Sequence, residues 1–261
     1  MKNEPFFARD GDLYAPTPAS RGPWNPQSLH GRVVVGLLGH AIETEHGEAD
    51  FSPARLTVDM YRLPGFDTVE VVTRLVRAGG RIKVVDAEFV SGGVSMGRAT
   101  CQLLRRTQAP EGHVWGPPPW DAPAPADIPP GDARSGMGGM WATRTISGGP
   151  VFGEGAKPGP RRLWMSEVRE LVDGQPLTPF VRVALAADFV SPFAHAGDRG
   201  LAYINTDVTL YLHRLPVTEW IGFEVSDHQA SDGLAIGACR LHDEQGPIGT
   251  AGCAALAQRR G

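Results

Sequence analysis

Apolar and polar positions alternate with a period of two along most of the chain. Leu56, Val58 and Met60 alternate with Thr57, Asp59 and Tyr61, and Val208, Leu210 and Leu212 alternate with Thr209, Tyr211 and His213. That period puts every second side chain on one face, so each set predicts a half-buried strand. Further strands are predicted over 68–76, 81–90 and 94–105, and again over 219–227, 233–242 and 247–257. Gly92-Gly93 and Gln245-Gly246 predict hairpin turns, because glycine tolerates the positive φ of primed turns. Two apolar segments break the alternation. The first, over about 30–45, carries Val33, Val34, Leu37, Leu38, Ala41 and Ile42 at helical spacing, with Asn25-Pro26 predicted as cap and first-turn proline. The second, over about 178–189, opens on Thr178-Pro179 and is predicted to stop before Pro192. Both hold too few polar positions for a surface helix, so each is predicted to be wrapped by a sheet.

The chain also repeats itself. Residues 57–64, ending Arg62-Leu63-Pro64, match residues 209–216, ending Arg214-Leu215-Pro216, at a shift of 152 positions (209 − 57). The same shift sets the Gly79-Gly80-Arg81 turn near Ser231-Asp232-Gly233, and small slips set Leu104-Arg105-Arg106 opposite Gln258-Arg259-Arg260. One helix plus one curved antiparallel sheet, occurring twice, predicts an α+β protein of two units, residues 1–109 and 146–261. Between them, residues 110–145 are rich in proline and glycine, including Gly136, Gly138 and Gly139, and read as a linker. Trp115, Trp120 and Trp141 predict that part of it lies over the sheet.

Composition narrows the function classes. The net charge of −4 leaves no basic footprint for a phosphate backbone, so nucleic acid is excluded as a partner. No run approaches the ~20 apolar residues that span a bilayer, and 1–10 has no signal-peptide pattern, so a cytoplasmic protein without a membrane span is expected. Cys101, Cys239 and Cys253 each sit in an apolar strand-like run, away from any CxxC pair or metal-ligand spacing. They predict reduced packing residues, with no metal.

Short motifs, met in order around the repeat, carry a family resemblance: Gly11-Asp12-Leu13-Tyr14, the Gly22-Pro23-Trp24 turn, His30-Gly31, the paired Arg-Leu-Pro strands and Ala187-Asp188-Phe189. On these the chain resembles the double-hotdog acyl-CoA thioesterases, type II thioesterase-like and above all the actinobacterial thioesterase-like proteins. The resemblance implies a double hotdog, a likeness spanning nearly the whole chain. It implies hydrolysis of a fatty acyl-CoA to free acid and CoA, in lipid metabolism, by water held between a carboxylate and polar side chains. No covalent acyl-enzyme and no cofactor are implied. The family's aspartate falls on Asp188, and its threonine or similar polar residue on Asn205, with Thr206 adjacent. Its glutamine, in the last strand, falls near Ala254. A methyl group there keeps open a non-hydrolytic acyl-CoA or lipid-binding protein, or a structural partner with no ligand. Hotdog sheets associate edge to edge, so a homo-oligomer is implied.

Physical chemistry adds its own argument for Asp188. A carboxylate at the negative end of an apolar helix is disfavoured by ~0.3–1 kcal/mol and its pKa is expected to rise, which suits a proton acceptor. A bond to Ser191 or to its own turn is the structural alternative. Asn205 or Thr206 could hold the water, or simply close a strand edge. The His30-Gly31 amides, at a helix start, could polarise a thioester oxygen, or Gly31 could only permit close packing. Gly93-Val94-Ser95-Met96-Gly97 matches a nucleophile elbow in letters but continues as a strand, and Gly153 to Lys157 lacks the P-loop spacing. His195, seven residues after Asp188, is expected in a loop, and His213 on the solvated side of its strand.

Overall fold

The computed structural model describes residues 3–130, 141–147 and 161–258. Gly136, Gly138 and Gly139, the Gly153 to Lys157 loop and the Arg259-Arg260 end of the repeat lie outside them. Among the described residues the chain runs β1 (Phe7–Asp10), β2 (Leu13–Pro16), α1 (Gly31–His46), β3 (Phe51–Met60), β4 (Val69–Ala78), β5 (Ile82–Ser91) and β6 (Val94–Arg105). It continues through β7 (Trp141–Ser147), β8 (Arg162–Glu167), α2 (Pro179–Ala187) and α3 (Val190–His195). The short β9 (Ala196–Gly197), β10 (Gly200–Leu201) and β11 (Tyr203–Asn205) lead into β12 (Asp207–Leu212), β13 (Ile221–Ser231), β14 (Leu234–Asp243) and β15 (Gly246–Ala257).

One thirteen-stranded antiparallel sheet results, in the order β1-β2-β4-β5-β6-β3-β12-β15-β14-β13-β8-β7, with β11 on β15. The order either side of the β3–β12 seam is the same read outwards: β3, β6, β5, β4 on one side and β12, β15, β14, β13 on the other. At the seam, Leu56 faces Leu210 and Val58 faces Val208 on the buried side, while the Thr57 and Thr209 hydroxyls meet at 3.3 Å on the other. β4 and β13, β5 and β14, and β6 and β15 begin 152 positions apart (221 − 69, 234 − 82, 246 − 94). The shift therefore holds through these strands without slips, and Leu104 stands opposite Leu256 rather than Gln258. β13 is one residue longer than β4 and the turn after it one residue shorter, so the offset is the same at the start of each later strand.

α1 lies against β3 to β6, α3 against β13 to β15, and α1 packs on α2. Gly36 and Gly39 permit that approach. A Cβ on Gly36 would lie 2.6 Å from Leu185 Cδ2, and one on Gly39 3.2 Å from Ala184 Cβ. No helix among the described residues is long and apolar enough to cross a membrane.

Several local expectations change. α1 is capped by His30, whose Nδ1 accepts from the Arg32 N–H, and not opened by Asn25-Pro26. Asn25 instead closes a turn, its side chain and carbonyl accepting from Gln27 and Ser28. Thr178-Pro179 does open α2. Pro192 does not end the helical run, because it sits in the first turn of α3, where its missing N–H deprives no helical bond. His195 closes α3 and is buried, not in a loop. β7 begins at Trp141, inside 110–145. Of the three tryptophans, Trp115 is exposed, whereas Trp120 stacks on His242 at 4.1 Å and meets Trp164 at 4.8 Å. Gly222 makes room for it, since a Cβ there would lie 2.4 Å from the Trp120 ring.

Substituting Gly36→Val should lower stability by about 1–3 kcal/mol through overpacking against Leu185. The double variant with Leu185→Ala should recover part of the loss, read as non-additive chemical denaturation midpoints.

Candidate active site

Beside the seam, a cleft of about 230 Å³ opens between the loop that precedes α1, the chain leaving β3, and β11. His30, Gly31, Asp188, Asn205 and Thr206 all line it, although they lie up to 176 positions apart (206 − 30). Apolar walls come from Leu29, Val34, Met60, Ile204 and Leu256.

Asp188 occupies the bend between α2 and α3. Ser191 donates its backbone N–H to the Asp188 carbonyl at 3.3 Å, which leaves the carboxylate free of its own turn. The carboxylate crosses instead to the opening of α1, where Gly31 receives it. A Cβ at Gly31 would stand 3.0 Å from both Asp188 oxygens. Asp188 thus sits between the negative end of α2 and the positive end of α1, and the second offsets the disfavour expected from the first.

Asn205 fixes the other side of the carboxylate. Its Nδ2 donates to Asp188 Oδ1 at 3.0 Å and to the Asp207 carbonyl at 3.3 Å. Both amide hydrogens are spent, and Asn205 Oδ1 has no partner among the described residues and keeps its acceptor capacity on a residue that lines the cleft. Thr206 is exposed at the rim, its hydroxyl 3.4 Å from the Ala254 carbonyl and its N–H 3.0 Å from the same oxygen. Ala254 is exposed too, and its N–H donates to Asp207 Oδ1 at 2.7 Å. Burial, the largest influence, raises the pKa of Asp207.

The two amides at the start of α1 differ. The His30 N–H donates to the Ser20 carbonyl at 2.8 Å and is not available to a ligand. The Gly31 N–H has no partner among the described residues and belongs to a residue that lines the cleft. His30 Nδ1 lies 3.1 Å from the Arg32 N–H nitrogen and 3.4 Å from Asp188 Oδ2. The shorter contact makes Nδ1 an acceptor, which puts the ring hydrogen on Nε2. Burial, outweighing Asp188, lowers the His30 pKa and keeps it neutral. The opening of α1 is further fixed by Arg32, buried and paired with Glu167 at 2.6 Å, beneath the Trp141 ring at 4.2 Å.

His195 does not join this group. Its ring nitrogens meet His228 Nδ1 at 2.9 Å and Cys253 Sγ at 3.5 Å. Burial, then His228, lowers His195 to about 4, and burial raises Cys253 to about 12, so neither suits proton transfer near neutrality. Ser95 lies within strand β6, without the following helix that a nucleophile elbow requires. His213 is exposed. Among the described residues no His, Cys, Asp and Glu group has metal-binding geometry. Trp24, Tyr61, Arg62 and Leu63 also line the cleft, and sequence reasoning about site residues missed them.

Comparison with known proteins agrees with this architecture. The acyl-CoA thioesterase N-terminal domain profile matches residues 20–107 and the corresponding C-terminal domain profile matches residues 118–252. Uncharacterized proteins of Mycobacterium bovis and Mycobacterium tuberculosis are 25% identical over 215 residues, covering 74% of this chain and 73% of theirs. A hot-dog-fold protein of Alicyclobacillus acidocaldarius superposes with a TM-score of 0.74 at 17% identity, covering 98% of this chain and 96% of that one. The tesB protein of Mycobacterium avium subs paratuberculosis gives 0.71 at 14% identity, with 97% and 96% covered. At such identities the likeness shows the hotdog fold.

A folded-state His30 with a lowered pKa stays neutral as pH falls through 6.5, where the unfolded chain takes up a proton. Its contribution to stability is therefore retained above pH 6.5 and lost progressively below it. ¹⁵N-detected imidazole shifts should show an Nε2–H tautomer persisting below pH 6.5. A midpoint at or above 6.5 would refute the assignment.

Proposed function

The chain belongs to the acyl-CoA thioesterase family, and from that membership we propose that it hydrolyses acyl-CoA thioesters with water activated between Asp188 and Asn205. The observation that carries the reading is one carboxylate at the wall of a cleft, bonded by Asn205 and adjoining Gly31, whose backbone N–H is unspent.

In this reading water donates one hydrogen to Asp188 and the other to Asn205 Oδ1, which aims an oxygen lone pair at the thioester carbon. As the new C–O bond forms, the water proton passes to Asp188, and negative charge gathers on the former carbonyl oxygen. The Gly31 N–H, at the positive end of α1, stabilises that charge. Collapse breaks the C–S bond, and the departing sulfur takes the proton from Asp188. Acid and free thiol result, and the carboxylate is restored. Asn205 supplies an acceptor that a methyl group at Ala254 cannot, which supports hydrolysis despite the absence of a glutamine there. Thr206, with its hydroxyl turned to the Ala254 carbonyl, shapes the rim. We further propose that the two halves are copies of one hotdog unit, a reading supported by the constant 152-position offset of their strands.

A second reading stays in play because of Ala254: an acyl-CoA or lipid-binding protein that does not turn over its ligand. Release of free thiol from a panel of acyl-CoA substrates separates the two. The hydrolase reading expects steady release by wild type. Asp188→Asn should lower kcat by about 10²- to 10⁴-fold. Gly31→Ala, which crowds the carboxylate, should lower it at least about tenfold with little change in Tm. Thermal stabilisation by acyl-CoA with no thiol released, in wild type, would favour the binding protein.

A further inference from the structure

The two Arg-Leu-Pro segments have diverged in what their arginines do. In the second, Arg214 forms a two-pronged ion pair with Asp243, both contacts at 2.6 Å, and Asp243 also accepts backbone N–H groups of Val217 and Gln245. That arginine is held by its own fold. In the first, the position 152 residues before Asp243 is Ser91, whose hydroxyl is buried and without a partner. Arg62, the counterpart of Arg214, makes no side-chain hydrogen bond or ion pair among the described residues, and it lines the cleft.

The backbone that carries Arg62 is firm. Tyr61 and Arg62 both donate their N–H groups to the Met96 carbonyl, at 2.9 and 3.2 Å. Two residues on, the Pro64 carbonyl accepts the Leu29 N–H at 2.8 Å, which ties the segment to the loop that precedes α1. Charge completes the argument. Among the described residues that line the cleft, Arg62 is the only cation, since His30 is neutral, and Asp188 is the only carboxylate. A guanidinium on fixed backbone at the lining of a cleft, without the carboxylate partner that its counterpart Arg214 has, is suited to bidentate binding of phosphate or carboxylate.

We propose that Arg62 binds an anionic group of the thioester substrate at the cleft mouth, either a phosphate of the CoA carrier or a carboxylate on the acyl chain. The proposal borrows from the hydrolase reading only the identity of the ligand. An arginine kept for folding would instead act on all substrates alike.

The test compares wild type, Arg62→Gln and Arg62→Lys on butyryl-CoA, butyryl-pantetheine and glutaryl-pantetheine. The second substrate lacks any anion and the third carries only a carboxylate. Loss of one charge-assisted contact should raise KM about tenfold for the anionic substrate, with partial recovery in the lysine variant and a smaller difference at high salt. A rise for butyryl-CoA alone assigns the phosphate, and a rise for glutaryl-pantetheine alone assigns the carboxylate. An equal rise for butyryl-pantetheine, or no rise for any substrate, overturns the proposal. If wild type releases no thiol from the three, the hydrolase reading fails by itself. Calorimetric titration with CoA and glutaryl-pantetheine then decides: binding about tenfold weaker in Arg62→Gln sustains the role of Arg62, and equal binding ends it.

Discussion

Where β3 pairs with β12, two half-sheets that would each present a row of unpaired N–H and C=O groups become one. The pairing is antiparallel and centred near Thr57 and Thr209, so each half is turned end for end relative to the other. Helices carried by the halves inherit that relation, and the start of α1 comes to lie against the end of α2. A cleft with residues from both halves follows from this strand contact. Leu56, Val58, Val208 and Leu210 bury its inner face, so a one-residue slip would turn them all to solvent.

The electrostatics of the cleft follow from the same geometry. A carboxylate at the end of an apolar helix is a poor choice for folding when that helix is considered alone. Here Asp188 reaches the N-terminal end of α1, where glycine leaves room and Asn205 supplies a donor. Its environment is therefore assembled from three segments, none of which suffices by itself. His30 caps α1 with its one Nδ1 lone pair, which requires the neutral ring that burial favours.

Much of this is visible in the amino-acid order, because strand alternation is local and glycine hairpins are nearly deterministic. The eight principal strands lie close to their predicted positions, and the helix openings at Thr178-Pro179 and near His30 follow from local chemistry. Less visible is the choice of His30 over Asn25 as the α1 cap, because imidazole and amide can each accept an N–H and only the path of the loop decides. The continuation through Pro192 depends on where a new helix begins. Asp188, Asn205 and Gly31 could be singled out one by one, yet their meeting could not, since it depends on strand pairing across more than a hundred residues. The role of Arg62 is hidden in the same manner. The signal for it existed in the repeat, where Ser91 stands opposite Asp243, but comparing partners as well as motifs is needed to read it.

Trp120 bears on what the connecting segment contributes. Its ring is seated against His242 and Trp164 in a notch left by Gly222, while Val114 and Trp115, a few residues earlier, stand almost fully in solvent. A protease cut in the exposed stretch would leave Trp120 docked on one fragment and β3 still zipped to β12 across the break. Covalent continuity there acts chiefly by raising the local concentration of one half around the other, so the nicked fragments ought to co-purify as a complex.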